Sequence, residues 1–97
     1  MMDEREILEH SYNLIINNLN KEIIQYTLHL IQDNGMDVQN IGDFMKGYFV
    51  SKFGMSCTGQ LLQQLGRRQF ENEMLYQEYV TKVANSEKLK QLLDEIV

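Results

Sequence analysis

The chain has 97 residues, which is enough for one domain that buries about 65% of the unfolded surface. Fourteen acidic and nine basic residues give a net charge of −5, which disfavours non-specific binding to nucleic acid or to a membrane surface. The single cysteine, Cys57, cannot form an intrachain disulfide, and no segment reaches the roughly 20 apolar residues of a membrane span. We therefore expect a cytoplasmic protein with a single helical domain over residues 1–97.

The chain contains no proline, and its apolar residues recur mostly at helical spacing. Because proline is the strongest helix breaker, this pattern predicts an all-α fold, a compact bundle of four to five helices with no sheet. The first helix is expected over residues 3–17, where Asp3, Glu4 and Glu6 place negative charge in the first turn.

Beyond this helix, the apolar residues continue in steps of four and three through an asparagine-rich segment, residues 17–20. The seam consists of Leu8, Tyr12, Ile15, Leu19, Ile23, Tyr26 and Leu30. Such a seam is typical of one long helix over about 3–33. Asparagine side chains, however, compete for backbone hydrogen bonds and weaken a helix. Of these two interpretations we favour two helices, or one kinked helix, over a single straight one.

Gly35 follows the next apolar segment and is suited to the left-handed conformation that ends a helix. We expect Asp37 to cap a third helix over about 38–53, which would end at Gly54. Its apolar stripe consists of Ile41, Phe44, Met45, Tyr48, Phe49 and Phe53. This stripe predicts that the third helix is the central element of the core.

The remaining apolar residues predict a long helix over about 57–83 and a short one over 87–96. Gly66 could interrupt the long helix, and Asn85 or Ser86 could cap the last one.

Residues 44–68 have a second interpretation, as a helix-turn-helix motif that binds DNA. Gly54 would occupy the turn and Ser56 would begin the recognition helix. The candidate contacts to nucleic acid or to another anion are Lys52, Gln60, Gln63, Arg67 and Arg68. Basic side chains contact phosphate and glutamines can read adenine, but this segment carries few cations for a DNA-binding surface. The alternative for the two arginines is a solvated pair that contacts Glu71 along the helix.

The sequence predicts no catalytic site, no metal and no cofactor. Glu6 and His10 lie one helical turn apart, but a helical dimetal site needs Glu-x-x-His on two helices and further glutamates. Cys57 near a helix start could be a nucleophile, yet no base is identified beside it, so a small packed residue is the favoured interpretation. We therefore expect a protein that is not an enzyme.

The predicted 57–83 helix is apolar on more than one side, which is typical of a helix that contacts a second chain. Its candidate interface residues are Phe70, Met74, Tyr76 and Tyr79. We interpret the chain as a small protein-binding regulator, adaptor or inhibitor, which could form a homodimer through the 57–83 helix. Its composition is typical of bacterial or phage-encoded accessory proteins. The alternatives are a helix-turn-helix regulator and a small subunit of a larger homo-oligomeric assembly.

Overall fold

A computed structural model describes residues 1–36 and 39–96 of the chain. Within these residues it contains five α-helices and no β-strand, which confirms the all-α prediction. The helices are α1 (Glu4–Asn17), α2 (Lys21–Asp33), α3 (Ile41–Leu65), α4 (Glu73–Ala84) and α5 (Glu87–Ile96). None of the helices in this described part is long and apolar enough to cross a bilayer.

The asparagine-rich segment divides α1 from α2, so the two-helix interpretation is confirmed. The side chain of Asn20 accepts a hydrogen bond from the backbone N–H of Ile23 at 2.8 Å and caps the start of α2. At the other end, Gly35 has a φ of +85°, in the left-handed region predicted for the residue that follows a helix.

The predicted end of the third helix at Gly54 is wrong, because α3 continues for eleven further residues to Leu65. Packing explains this continuity: every fourth side chain along α3 is buried, and these contacts outweigh the roughly 1 kcal/mol that each glycine costs in a helix. The buried residues are Met45, Phe49, Phe53, Cys57 and Leu61. Asn40 caps the helix, whereas the predicted cap, Asp37, lies outside the described residues.

The predicted 57–83 helix is divided by a connection over residues 66–72. Gly66 ends α3 with a φ of +70°, and Asn72 caps α4 by accepting from the backbone N–H of Leu75. The last helix has its predicted bounds, and its cap is Ser86, whose hydroxyl accepts from the backbone N–H of Leu89.

The core lies between α1, α3 and α4, which pack on one another, while α5 contacts both α2 and α3. A small polar contact joins α1 to α3, where the hydroxyl of Ser56 donates to that of buried Ser11 at 2.9 Å. Lys88 on α5 satisfies the end of α1, since its ammonium lies 2.8 Å from the carbonyl oxygen of Ile16. On α2, Ile24, Thr27 and Leu28 are buried, and another side of this helix is exposed.

Candidate functional site

Tyr79, predicted at a protein interface, belongs instead to the core. Its side chain is only 2% exposed, and its ring meets that of Tyr12 edge-on. The hydroxyl of Tyr79 donates to the carboxylate of Glu9, and burial together with this bond raises the pKa of Tyr79. The prediction is therefore wrong for Tyr79, because α4 turns this side of the helix towards α1.

The other predicted interface residues do not form one surface either. Phe70 and Tyr76 are half-buried and stack with ring centroids 5.1 Å apart, and Tyr76 also stacks on Phe53 of α3. These two aromatic residues join the 66–72 connection and α4 to α3. Met74 is 79% exposed on the outer side of α4. Of the four candidates, only Met74 is fully available to a partner.

Arg67 is held within the molecule rather than offered to an anion. Its guanidinium lies 2.5 Å from the carboxylate of Glu4 and 3.9 Å from that of Glu71, so Arg67 does approach Glu71, but on the 66–72 connection rather than along a helix. Arg68 is exposed and lines a shallow cleft with Phe70 and Glu73. The acidic neighbour reduces the attraction of that cleft for an anion.

The helix-turn-helix interpretation of residues 44–68 is contradicted, because no turn separates two helices in this segment. Residues 41–65 form one continuous helix, in which Lys52 and Gln63 lie about 16 Å apart along the axis. The ammonium of Lys52 lies over the ring of Tyr48, 5.3 Å from its centroid. Lys52 also lies about 20 Å along the axis from Leu65, so it does not form one cluster with the two arginines that follow the helix.

The chemistry of Cys57 is that of a packed core residue. The side chain is fully buried, and burial raises the pKa of the thiol to about 11, against the opposing effect of a hydrogen bond with Ser11. The thiolate needed for nucleophilic attack is therefore scarce at neutral pH. In residues 1–36 and 39–96, no three His, Cys, Asp or Glu side chains come together as a metal site would require.

An unpartnered apolar surface lies on α2. The second half of the predicted seam, Ile23, Tyr26 and Leu30, points outwards, and Tyr26 and Leu30 are 70% and 52% exposed. Leu14, at the end of α1, is exposed beside it. We call Leu14, Ile23, Tyr26 and Leu30 the α2 surface.

The exposure of Ile23, Tyr26 and Leu30 follows from the break at Asn20. Leu8 and Leu19, in the first half of the seam, are buried against the core. After the break, α2 buries a different stripe, which consists of Ile24, Thr27 and Leu28. Thr27 tolerates burial because its hydroxyl donates to the carbonyl oxygen of Ile23.

The α2 surface continues into a shallow pocket between α1, α2 and α3. Leu14 and Ile23 line this pocket together with Leu19 and Phe49, and Lys52 lies at its rim. A pocket beside an exposed apolar stripe can receive one anchoring side chain while the stripe contacts the rest of a ligand. Sequence reasoning missed this site, although α2 carries more large apolar side chains than one buried stripe can hold.

Comparison with known proteins gives no relative from which a function could be transferred. No protein-family model matches the chain, and neither the curated proteins nor the solved structures gave a significant match.

Proposed function

We propose that this protein is a small, non-enzymatic, cytoplasmic protein-binding regulator, adaptor or inhibitor, and that it contacts its partner through the α2 surface. The observation that carries the proposal is the outward position of Ile23, Tyr26 and Leu30 on one helix. Clustered apolar side chains lose contact with water when a partner covers them, which favours association.

The spacing of the α2 surface supports this function. Tyr26 follows Ile23 by three residues and precedes Leu30 by four, so the three side chains lie on one side of α2. Tyrosine is also enriched at protein interfaces, since its ring adds apolar area and its hydroxyl forms hydrogen bonds. Single exposed apolar residues are ordinary on protein surfaces, whereas an aligned set beside a pocket is typical of a contact surface.

Co-purification from a lysate of the native host, run with and without nuclease, tests this function. Three tagged proteins are compared: the wild type, Leu30→Glu in the α2 surface, and the control Met74→Glu on α4. Thermal unfolding checks that both variants remain folded. We expect the wild type and Met74→Glu to retain the same stoichiometric protein partner, and Leu30→Glu to lose it, because a charge in an apolar interface is left without compensation.

Two results would contradict the proposal. One is retention of the same proteins by all three tagged forms, which would place the contact elsewhere. The other is loss of all retained material after nuclease treatment, which would indicate nucleic acid as the partner.

The homo-oligomeric alternative is distinguished by sedimentation velocity of the purified protein. We expect a monomer at micromolar concentration for both the wild type and Leu30→Glu. A wild-type oligomer that dissociates in Leu30→Glu would instead assign the α2 surface to self-assembly.

A further inference from the structure

We propose that the α2 surface binds an amphipathic helix of a partner protein, and that this helix carries lysine or arginine beside its apolar stripe. The inference rests on the proposed protein-binding function and specifies the chemistry of the partner. Three features of α2 carry it: the shape of the apolar stripe, the acidic residues along its edge, and the charge at its C-terminal end.

The shape of the α2 surface fits a helix. Ile23, Tyr26 and Leu30 form a ridge over about two turns of α2, and the pocket lined by Leu14 and Phe49 lies at one end of it. The side-chain ridge of a second helix packs beside such a ridge, and one of its apolar residues can enter the pocket. A peptide that binds by adding a strand to a sheet would need an unpaired strand edge, and the described residues contain no strand.

Acidic residues follow one edge of the stripe. Glu22 precedes Tyr26 by four residues and Asp33 follows it by seven, so both carboxylates lie on the side of α2 that carries Tyr26. His29 shares this side, whereas Lys21, the one lysine of α2, which has no arginine, lies about 140° around the helix from Tyr26. Among the described residues, no ion pair engages Glu22 or Asp33.

The C-terminal end of α2 also favours a cation. Asp33 adds a negative charge to the end of the helix that already carries the negative pole of its dipole, and the last turn contains no basic residue. A cation already lies at the corresponding end of α1, where Lys88 reaches the carbonyl oxygens of Ile16 and Asn17. At the end of α2 the carbonyl oxygens of residues 30–32 already accept hydrogen bonds from residues 34–36, so a basic side chain of the partner would interact there with the charge of Asp33 and the helix dipole.

A second copy of the chain fits this surface less well. In an antiparallel pair with Ile23 opposite Leu30, Glu22 comes near Asp33 of the second copy along the same edge. A parallel pair instead brings the two negative C-terminal ends of α2 together. Like charges meet in both arrangements, which disfavours self-association relative to a basic partner.

Selection from a displayed library of helical peptides tests the inference. The library holds leucine at positions i, i+3 and i+7 and varies the flanking positions among Lys, Glu, Gln and Ala. It is selected against the wild type, the charge-reversed double variant Glu22→Lys/Asp33→Lys, Leu30→Glu, and the control Met74→Glu. We expect lysine at the flanking positions with the wild type and with the control, and glutamate with the charge-reversed variant.

The affinity of a selected lysine-flanked peptide gives a quantitative measure. Fluorescence anisotropy should show a Kd about tenfold higher for the charge-reversed variant. The reason is that the attraction of the peptide lysines to Glu22 and Asp33 becomes a repulsion from two lysines. Leu30→Glu should abolish binding, and added salt should weaken binding to the wild type.

The other outcomes overturn the inference in distinguishable ways. If peptides are enriched without a preference for lysine, or if the charge-reversed variant also selects lysine, the basic partner is ruled out. The α2 surface would still be a helix-binding surface. No enrichment, combined with a lysate partner that Leu30→Glu still loses, overturns the helix and leaves the proposed function. If no peptide is enriched and Leu30→Glu retains the same lysate proteins as the wild type, both the inference and the proposed function are overturned.

Discussion

Glu4, in the first turn of α1, binds Arg67 on the connection between α3 and α4. The same carboxylate accepts hydrogen bonds from the backbone N–H groups of Glu71 and Asn72, at 2.8 and 3.1 Å. Glu4 therefore satisfies donors just before α4 and attaches the 66–72 connection to α1. Burial by itself raises the pKa of Glu4, but these hydrogen bonds and the charge of Arg67 outweigh it and hold the pKa below its usual 4.5.

Replacement of Glu4 by glutamine should produce a pH-dependent loss of stability. At pH 7 we expect Glu4→Gln to lower the free energy of unfolding by about 1–2 kcal/mol, because charge-assisted hydrogen bonds are weakened. Since the folded-state pKa lies below the unfolded-state value, the wild type has its full advantage above pH 4.5 and loses it as the pH falls through the folded-state value. Urea denaturation of both proteins between pH 7 and pH 3 measures the difference.

The control for Glu4 is Glu71→Gln, since the exposed Glu71 carboxylate lies 3.9 Å from Arg67. This change should cost less than about 0.5 kcal/mol. A difference between wild type and Glu4→Gln that stays constant over the whole pH range would contradict the role assigned to the Glu4 charge.

Leu28 and Leu30 should respond very differently to truncation, although they are two residues apart. Leu28 is 7% exposed and Leu30 is 52% exposed. We expect Leu28→Ala to lower the free energy of unfolding by about 2–3 kcal/mol, because it removes buried contacts. Leu30→Ala should change it by about 0.5 kcal/mol or less. Chemical denaturation compares the two, and equal losses would show that the Leu30 side of α2 is packed in the folded protein.

Two glycines of α3 should differ when they are replaced by alanine. Among the described residues nothing lies within 4 Å of a Cβ at Gly47, so Gly47→Ala should stabilise the helix by up to about 1 kcal/mol. A Cβ at Gly54 would lie 3.1 Å from the hydroxyl oxygen of Tyr76, which must then move, so Gly54→Ala should gain less. Thermal unfolding of both variants measures the difference.

The Tyr76→Phe background provides the control for Gly54, because it removes the hydroxyl that the new methyl group would approach. In this background, Gly54→Ala should stabilise the protein as much as Gly47→Ala does. Equal gains already in the wild-type background would mean that the contact between Gly54 and Tyr76 carries no cost.

Cys57 should be unreactive in the folded protein. Its thiol is buried and its pKa is raised to about 11, so both access and thiolate concentration are low at pH 8. We expect iodoacetamide to modify native Cys57 about a hundredfold or more slowly than the chain unfolded in guanidinium chloride. Mass spectrometry of timed samples measures both rates. Similar rates would show that the α1–α3 contact opens frequently or that the thiol is exposed.

Local patterns predicted the elements that depend on neighbouring residues. The asparagines around Asn20 divide α1 from α2 because their side chains bond the local backbone, and Gly35 adopts a positive φ because it lacks a Cβ. The same kind of reasoning failed at Gly54, where buried side chains on both sides of the glycine keep α3 continuous. A propensity difference of about 1 kcal/mol is too small to end a helix against such packing.

At the candidate site, too, local patterns were predictable and long-range packing was not. The sequence identified Ile23, Tyr26 and Leu30 as members of one apolar seam, but it also placed Tyr79 at an interface, where the structure buries it. The periodicity of a helix shows which side chains share a side, since this depends only on spacing along one chain. It does not show which side meets another helix.

By itself, then, the sequence determined an all-α chain and the bounds of α5, and it favoured a break between α1 and α2, because caps, helix propensity and apolar period act over a few residues. Only the tertiary structure decided that α3 is one helix and that Tyr79 is buried while Tyr26 is exposed. The physical reason is that burial depends on how whole helices orient against one another, and that orientation is set by the sum of many contacts between residues far apart in the chain.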